Sequence, residues 1–146
     1  MAVFNKGSDP KVDRLRAVPL FAGASDEALA HLASTVDEIE VSAGTTLIEQ
    51  GRRHNEGYVI VSGSLNVEVD GEQVATVPAG EMVGDLRLFG FSPASATCIA
   101  AEDVSILSIP AQSFDMVLDE NPSLTKSIAT ALAGRLHALD ARVTHA

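Results

Sequence analysis

The sequence predicts a mainly β fold, an antiparallel sandwich or barrel with helices at both ends. Short runs with a two-residue period fill the middle of the chain, and glycine- or proline-containing turns separate them closely. At both ends the period lengthens to 3.6 residues. At 146 residues, 46% hydrophobic and 21% charged, the chain has the size and balance of one globular domain. Residues 1–146 are therefore expected as one unit, with helices over 1–35, β structure over 36–110 and helices over 111–146. No repeat, low-complexity tract or linker divides it.

Taken in order, Asp9-Pro10 is a cap and first-turn proline for a short helix carrying Val12 and Leu15 on one face. Ser25 caps a second helix, with Asp26 and Glu27 at its positive end and Leu29, Leu32, Ala33 and Val36 at helical spacing. The period then changes to two. Ile39 and Val41 alternate with Glu38 and Glu40, and Gly44 turns the chain into Thr46-Leu47-Ile48. Tyr58-Val59-Ile60-Val61 reads as a buried strand, and Leu65, Val67 and Val69 alternate with polar residues up to the hairpin signal Asp70-Gly71. Val74 to Val77, Ala94 to Ala101 and Val104 to Ile109 complete the strands. Past Pro110, Phe114, Met116, Val117 and Leu118 mark a short helix. Asn121-Pro122 then opens a long amphipathic helix with Leu124, Ile128, Leu132, Leu136, Leu139 and Val143 on one stripe and Lys126, Arg135 and Arg142 elsewhere.

Composition narrows the function. The chain holds 20 acidic and 10 basic residues, a net charge of −10, without a cluster of Lys and Arg. Such a surface is poorly suited to a phosphate backbone, so nucleic acid is not an expected partner. The four histidines are scattered, and no His, Cys and carboxylate spacing matches a metal site. No apolar run reaches the ~20 residues that span a bilayer. No signal-like segment opens the chain, and the single cysteine, Cys98, excludes an internal disulfide, so a cytoplasmic protein without a membrane partner is expected. Cys98 lies in a strand-like run, which favours a buried structural thiol over a reactive one. No nucleophile and base pair, Walker loop or dinucleotide fingerprint is present, and no catalytic residue is assigned.

One stretch, MVGDLRLFGFSPASATCIAA from Met82 to Ala101, combines a glycine, a carboxylate and a short apolar turn ahead of Pro93 and a small-residue run. A loop entering a short helix in this way can present backbone N–H groups to an anion. Upstream, Leu47-Ile48-Glu49-Gln50-Gly51 is followed after eleven residues by Gly63. With these pieces in this order, the chain from about Leu15 to Leu139 resembles the cyclic nucleotide-binding domain family of catabolite activators, kinase regulatory subunits and channels. The resemblance implies a double-stranded β-helix, a jelly-roll barrel of about eight strands, and a phosphate-binding cassette over 82–101. Arg52, His54 and Gly57 depart from the family pattern, which has an acidic or small polar, a small and a large apolar residue there.

The cassette pattern, roughly Phe-Gly-Glu-x-Ala-Leu and then Arg-Ala/Ser-Ala-Thr-Val, falls on Val83, Gly84, Asp85, Leu86, Arg87 and Leu88, and on Ala94, Ser95, Ala96, Thr97 and Cys98. The resemblance implies that the ligand-binding residues are Gly84 to Leu88 and Ala94 to Thr97. Asp85 stands where the family's glutamate binds the ribose 2′-hydroxyl, and Ala94 where its arginine pairs with the cyclic phosphate. Losing one side of a buried charge pair costs about 2–5 kcal/mol, roughly 30-fold to several thousand-fold in affinity. Arg87 occupies a position the family keeps small, and three readings stay open: a surface arginine, a side chain that blocks the pocket, or a replacement cation.

The implied protein is a stand-alone, non-catalytic regulatory or signalling module with no cofactor, binding cAMP, cGMP or another small anion weakly and acting on an effector protein. The alternative is a protein-interaction or dimerisation scaffold with a closed pocket. The long helix either packs on its own barrel or forms a homodimer. Thr125, Ser127 and Thr130 could reach a base edge but are assigned no ligand. The sequence stops at Ala146, soon after this helix, so no helix-turn-helix is expected in it.

Overall fold

The computed structural model describes residues 9–144, with side chains described as far as residue 140. Arg142, Val143 and His145 lie outside those described side chains. Helix α1 (Pro10–Ala17) starts where expected: the Asp9 carboxylate accepts the Lys11 N–H at 2.9 Å, and Pro10 sits in the first turn. A single 3₁₀ turn at Pro19–Phe21 follows. In α2 (Asp26–Ala33) the Ser25 hydroxyl accepts the Ala28 N–H at 3.1 Å, and the helix buries Ala28, Leu29, Leu32 and Ala33 along one face.

Eight strands follow among the described residues: β1 (Asp37–Val41), β2 (Thr46–Ile48), β3 (Glu56–Ser62), β4 (Ser64–Val69), β5 (Glu72–Pro78), β6 (Met82–Val83), β7 (Thr97–Ala100) and β8 (Val104–Pro110). They form two antiparallel four-stranded sheets, ordered β1-β8-β3-β6 and β2-β7-β4-β5. Apart from the β4–β5 hairpin, consecutive strands lie in opposite sheets, as in a jelly roll. Between β6 and β7 lies α3 (Asp85–Leu88), and α4 (Ala111–Glu120) and α5 (Pro122–Thr144) close the chain. Asp70 and Gly71 both take positive φ, 53° and 82°, as a tight hairpin between right-twisted strands requires.

The apolar run Tyr58-Val59-Ile60-Val61 in β3 and the burial of β8 over 104–109 have one physical reason, because both faces of these central strands are covered. Tyr58, Ile60, Val104 and Ile106 point between the sheets with Leu65, Cys98 and Ala100. Val59, Leu107 and Ile109 point the other way, onto the helices, where they meet Leu15, Phe21, Leu29, Phe114 and Leu124. Neighbouring residues of one strand thus serve two cores.

Two expectations need correction, and the alternation at Ile39 does not bury it. Ile39 remains 40% exposed, because β1 is an edge strand paired only with β8. Residues 94–96 are loop, and the strand expected from Ala94 begins at Thr97. Their backbone is bonded elsewhere: Ala94 N–H donates to the Arg52 carbonyl at 3.0 Å, and its carbonyl accepts Gly51 N–H at 2.9 Å. Met82–Val83, expected only as the approach to a helix, pairs with β3 as a two-residue strand.

Candidate functional site

The cassette is anchored at Gly84. Its φ of +74° lies in the left-handed region, and a Cβ built there would stand 3.0 Å from the Glu56 carbonyl oxygen and 3.1 Å from Ile48 Cδ1. Glycine alone satisfies both the backbone and the space. One helical turn later, Leu88 is buried and leans on Gly57, where an added Cβ would lie 2.8 Å from Leu88 Cδ1. The departure from a large residue at position 57 is thereby filled by Leu88.

Arg87 lines the cassette region and is tied to the neighbouring loop. It is half-buried, its Nε donates to the His54 carbonyl at 2.7 Å and its Nη2 donates to Asn55 Oδ1 at 3.3 Å. The side chain braces α3 against the loop between β2 and β3. Arg52 pairs instead with Glu49, at 3.2 Å on the surface.

Gly84, Asp85, Leu86, Arg87, Ala94, Ser95 and Ala96 are brought to one cavity of about 370 Å³. Two other expected site residues are not on its wall: Leu88 packs into the helical core, and Thr97 Oγ1 accepts the Gln50 N–H at 2.9 Å. Sequence reasoning missed Ile48, His54 and Val67, which line the cavity from outside the cassette. Only β pairing brings these segments together, although the inward alternation of Val67 was a usable signal. Thr125, Ser127 and Thr130 turn their hydroxyls back to carbonyls of Leu118, Leu124 and Lys126, so none is offered to a ligand. Among the described residues, no three His, Cys, Asp or Glu side chains are grouped to hold a metal ion, and no helix is long and apolar enough to cross a membrane.

Cys98 lines the same cavity, and burial pushes its thiol from 9.0 up to about 11. Tyr58, behind it in the barrel core, is raised further by burial and then by its hydrogen bond to, and the charge of, Glu56. In both cases the folded state holds its proton to higher pH than the unfolded chain. The contribution of Cys98 to stability is complete below pH 9 and declines as pH rises toward 11, and that of Tyr58 begins to decline only above pH 10. Denaturation midpoints are therefore expected to fall above pH 9, and native Cys98 to resist a thiol reagent near pH 8 that labels the unfolded chain. Equal labelling of the two states would contradict the burial assigned to it.

The fold defines a class of two-sheet β-barrel domains with flanking helices, and comparison with known proteins agrees. A family model described as cyclic nucleotide-binding domain matches residues 38–121. The chain belongs to the cyclic nucleotide-binding domain family. It is 33% identical over 115 residues to the Pycsar effector protein XpPycTIR of Xanthomonas perforans, covering 77% of this chain and 38% of that protein. It is 32% identical over 120 residues to a cyclic nucleotide-gated potassium channel of Rhizobium etli, covering 82% and 34% respectively. The chain thus spans well under half the length of these relatives. Among solved structures, the N-terminal domain of a transcriptional regulator from Streptomyces coelicolor superposes with a TM-score of 0.79 at 29% identity, over 90% of this chain and 95% of that one.

Proposed function

We propose that this protein is a non-catalytic, cytoplasmic regulatory module in which occupancy of the cassette cavity sets the position of the C-terminal helices. The observation that carries this reading is the contact between Phe89, at the end of α3, and Phe114 of α4, edge to face with ring centroids 5.6 Å apart. The cassette therefore cannot move without pressing on α4, and α4 runs through Asn121 directly into α5. Two relatives, one named as an effector and one as a nucleotide-gated channel, support a signalling role. Leu132, Leu136 and Leu139 on α5, all exposed, supply the surface through which an effector or a second copy would sense the change.

Within this reading, cAMP and cGMP bind weakly, because Ala94 supplies no cation for the phosphate and Asp85 is one methylene shorter than glutamate. Replacing Ala94 with arginine is expected to tighten cAMP or cGMP binding by about 30-fold or more, since it restores one side of a charge pair. Isothermal titration calorimetry of both forms measures this. Unchanged weak binding in the arginine variant would remove Ala94 as the reason and count against a nucleotide-shaped cavity.

A further inference from the structure

We infer that the cassette cavity takes a ribonucleoside, an uncharged ligand with a free cis-diol, in preference to a cyclic nucleotide; this rests on reading the cassette as a ligand site. The walls are apolar at Ile48, Val67 and Met82, with Phe91, 64% exposed, at the rim where a flat base could stack. Arg87 is the only Lys or Arg among the described residues lining the cavity, and two of its three nitrogens, Nε and Nη2, already donate to the His54 carbonyl and Asn55 Oδ1. The N–H of Ala94, another donor an anion would use, is bonded to Arg52.

What the cavity does present is a carboxylate. Among the described residues, Asp85 has no hydrogen-bond or ion-pair partner, and it lines the cavity. An ionised carboxylate only accepts hydrogen bonds, and its two oxygens match two adjacent hydroxyls. A phosphodiester in this space would place a second negative charge near Asp85, where the poorly polar surroundings strengthen the repulsion. A 3′,5′-cyclic phosphate also ties up the 3′ oxygen as an ester, leaving one ribose hydroxyl to donate. The free ribonucleoside removes the repelled charge and supplies the second donor. At about 370 Å³ the cavity is at the small end of ligand sites, consistent with a ligand that lacks a phosphate.

The test is calorimetric titration of the full chain with adenosine, guanosine, cytidine and uridine, each beside its 2′-deoxy form and its 3′,5′-cyclic phosphate. At least one ribonucleoside is expected to bind about tenfold or more tightly than both of its counterparts, the worth of one hydrogen bond to a charged group. Asp85→Asn is expected to erase the preference over the 2′-deoxy form, and Ala94→Arg to shift preference toward the cyclic phosphate. A wild-type protein that binds a cyclic phosphate as tightly as its nucleoside overturns this inference and leaves the sensor reading in place. Equal binding of ribo and deoxy forms removes the role given to Asp85 and overturns it too. Silence toward every compound overturns both readings together.

Discussion

Replacing Phe114 with alanine is expected to lower the unfolding free energy by about 3–5 kcal/mol, a large part of the ~5–15 kcal/mol that holds a domain of this size folded. The side chain is fully buried in the helical core. Its ring lies 6.3 Å from that of Phe21 in the N-terminal helical segment and meets Phe89 at 90°. Three separate parts of the chain therefore lose packing at once: the N-terminal helices, the end of the cassette and α4. The cavity cannot be filled by a small shift, because Leu29, Leu107 and Ile109 around it belong to elements held by their own hydrogen bonds. Urea titration should move the midpoint with an unchanged slope. A shift worth less than about 1 kcal/mol would mean that the helical core collapses around the gap.

We propose that two copies pair through α5, and changing Leu132, Leu136 and Leu139 together to glutamine is then expected to leave a monomer with the barrel folded. On α5, Leu124 and Ile128 are buried against the domain, but Leu132, Leu136 and Leu139 are 40%, 61% and 53% exposed. The two readings of the long helix thus divide along its length: the first turns pack on the protein's own core, and the later ones have no partner among the described residues. Spacings of four and then three residues place these leucines along one seam, and a seam of that kind is self-complementary about a two-fold axis. Sedimentation of the two forms decides the matter. The wild type should also melt at a higher temperature as its concentration rises, and the variant should not. A wild type that sediments as a monomer at high concentration would assign the stripe to a different protein.

Much of this molecule can be read from short stretches of sequence. Asp9 and Ser25 cap helices, Asp70-Gly71 turns a hairpin, and the runs around Tyr58 and Ile106 are strands covered on both faces. Each outcome depends on few neighbours, or on a periodicity that survives any arrangement of the rest. The absence of an arginine at position 94 was equally plain, since an identity needs no fold to be known. The exposure of Ile39 was not legible, because alternation reveals a face and not whether anything covers it.

The sequence by itself therefore determined the element order, the barrel class and the identity of alanine at position 94. Only the tertiary structure decided what those residues do with their freedom. Arg87 reaches a carbonyl 33 residues away, Leu88 fills the space left by Gly57, and residues 51 and 52 tie down Ala94. Such contacts join segments that meet only once the sheets have closed, so no local pattern encodes them. The same closure leaves a cavity lined by a carboxylate unpartnered among the described residues, Asp85, and by an arginine, Arg87, with two of its nitrogens already bonded.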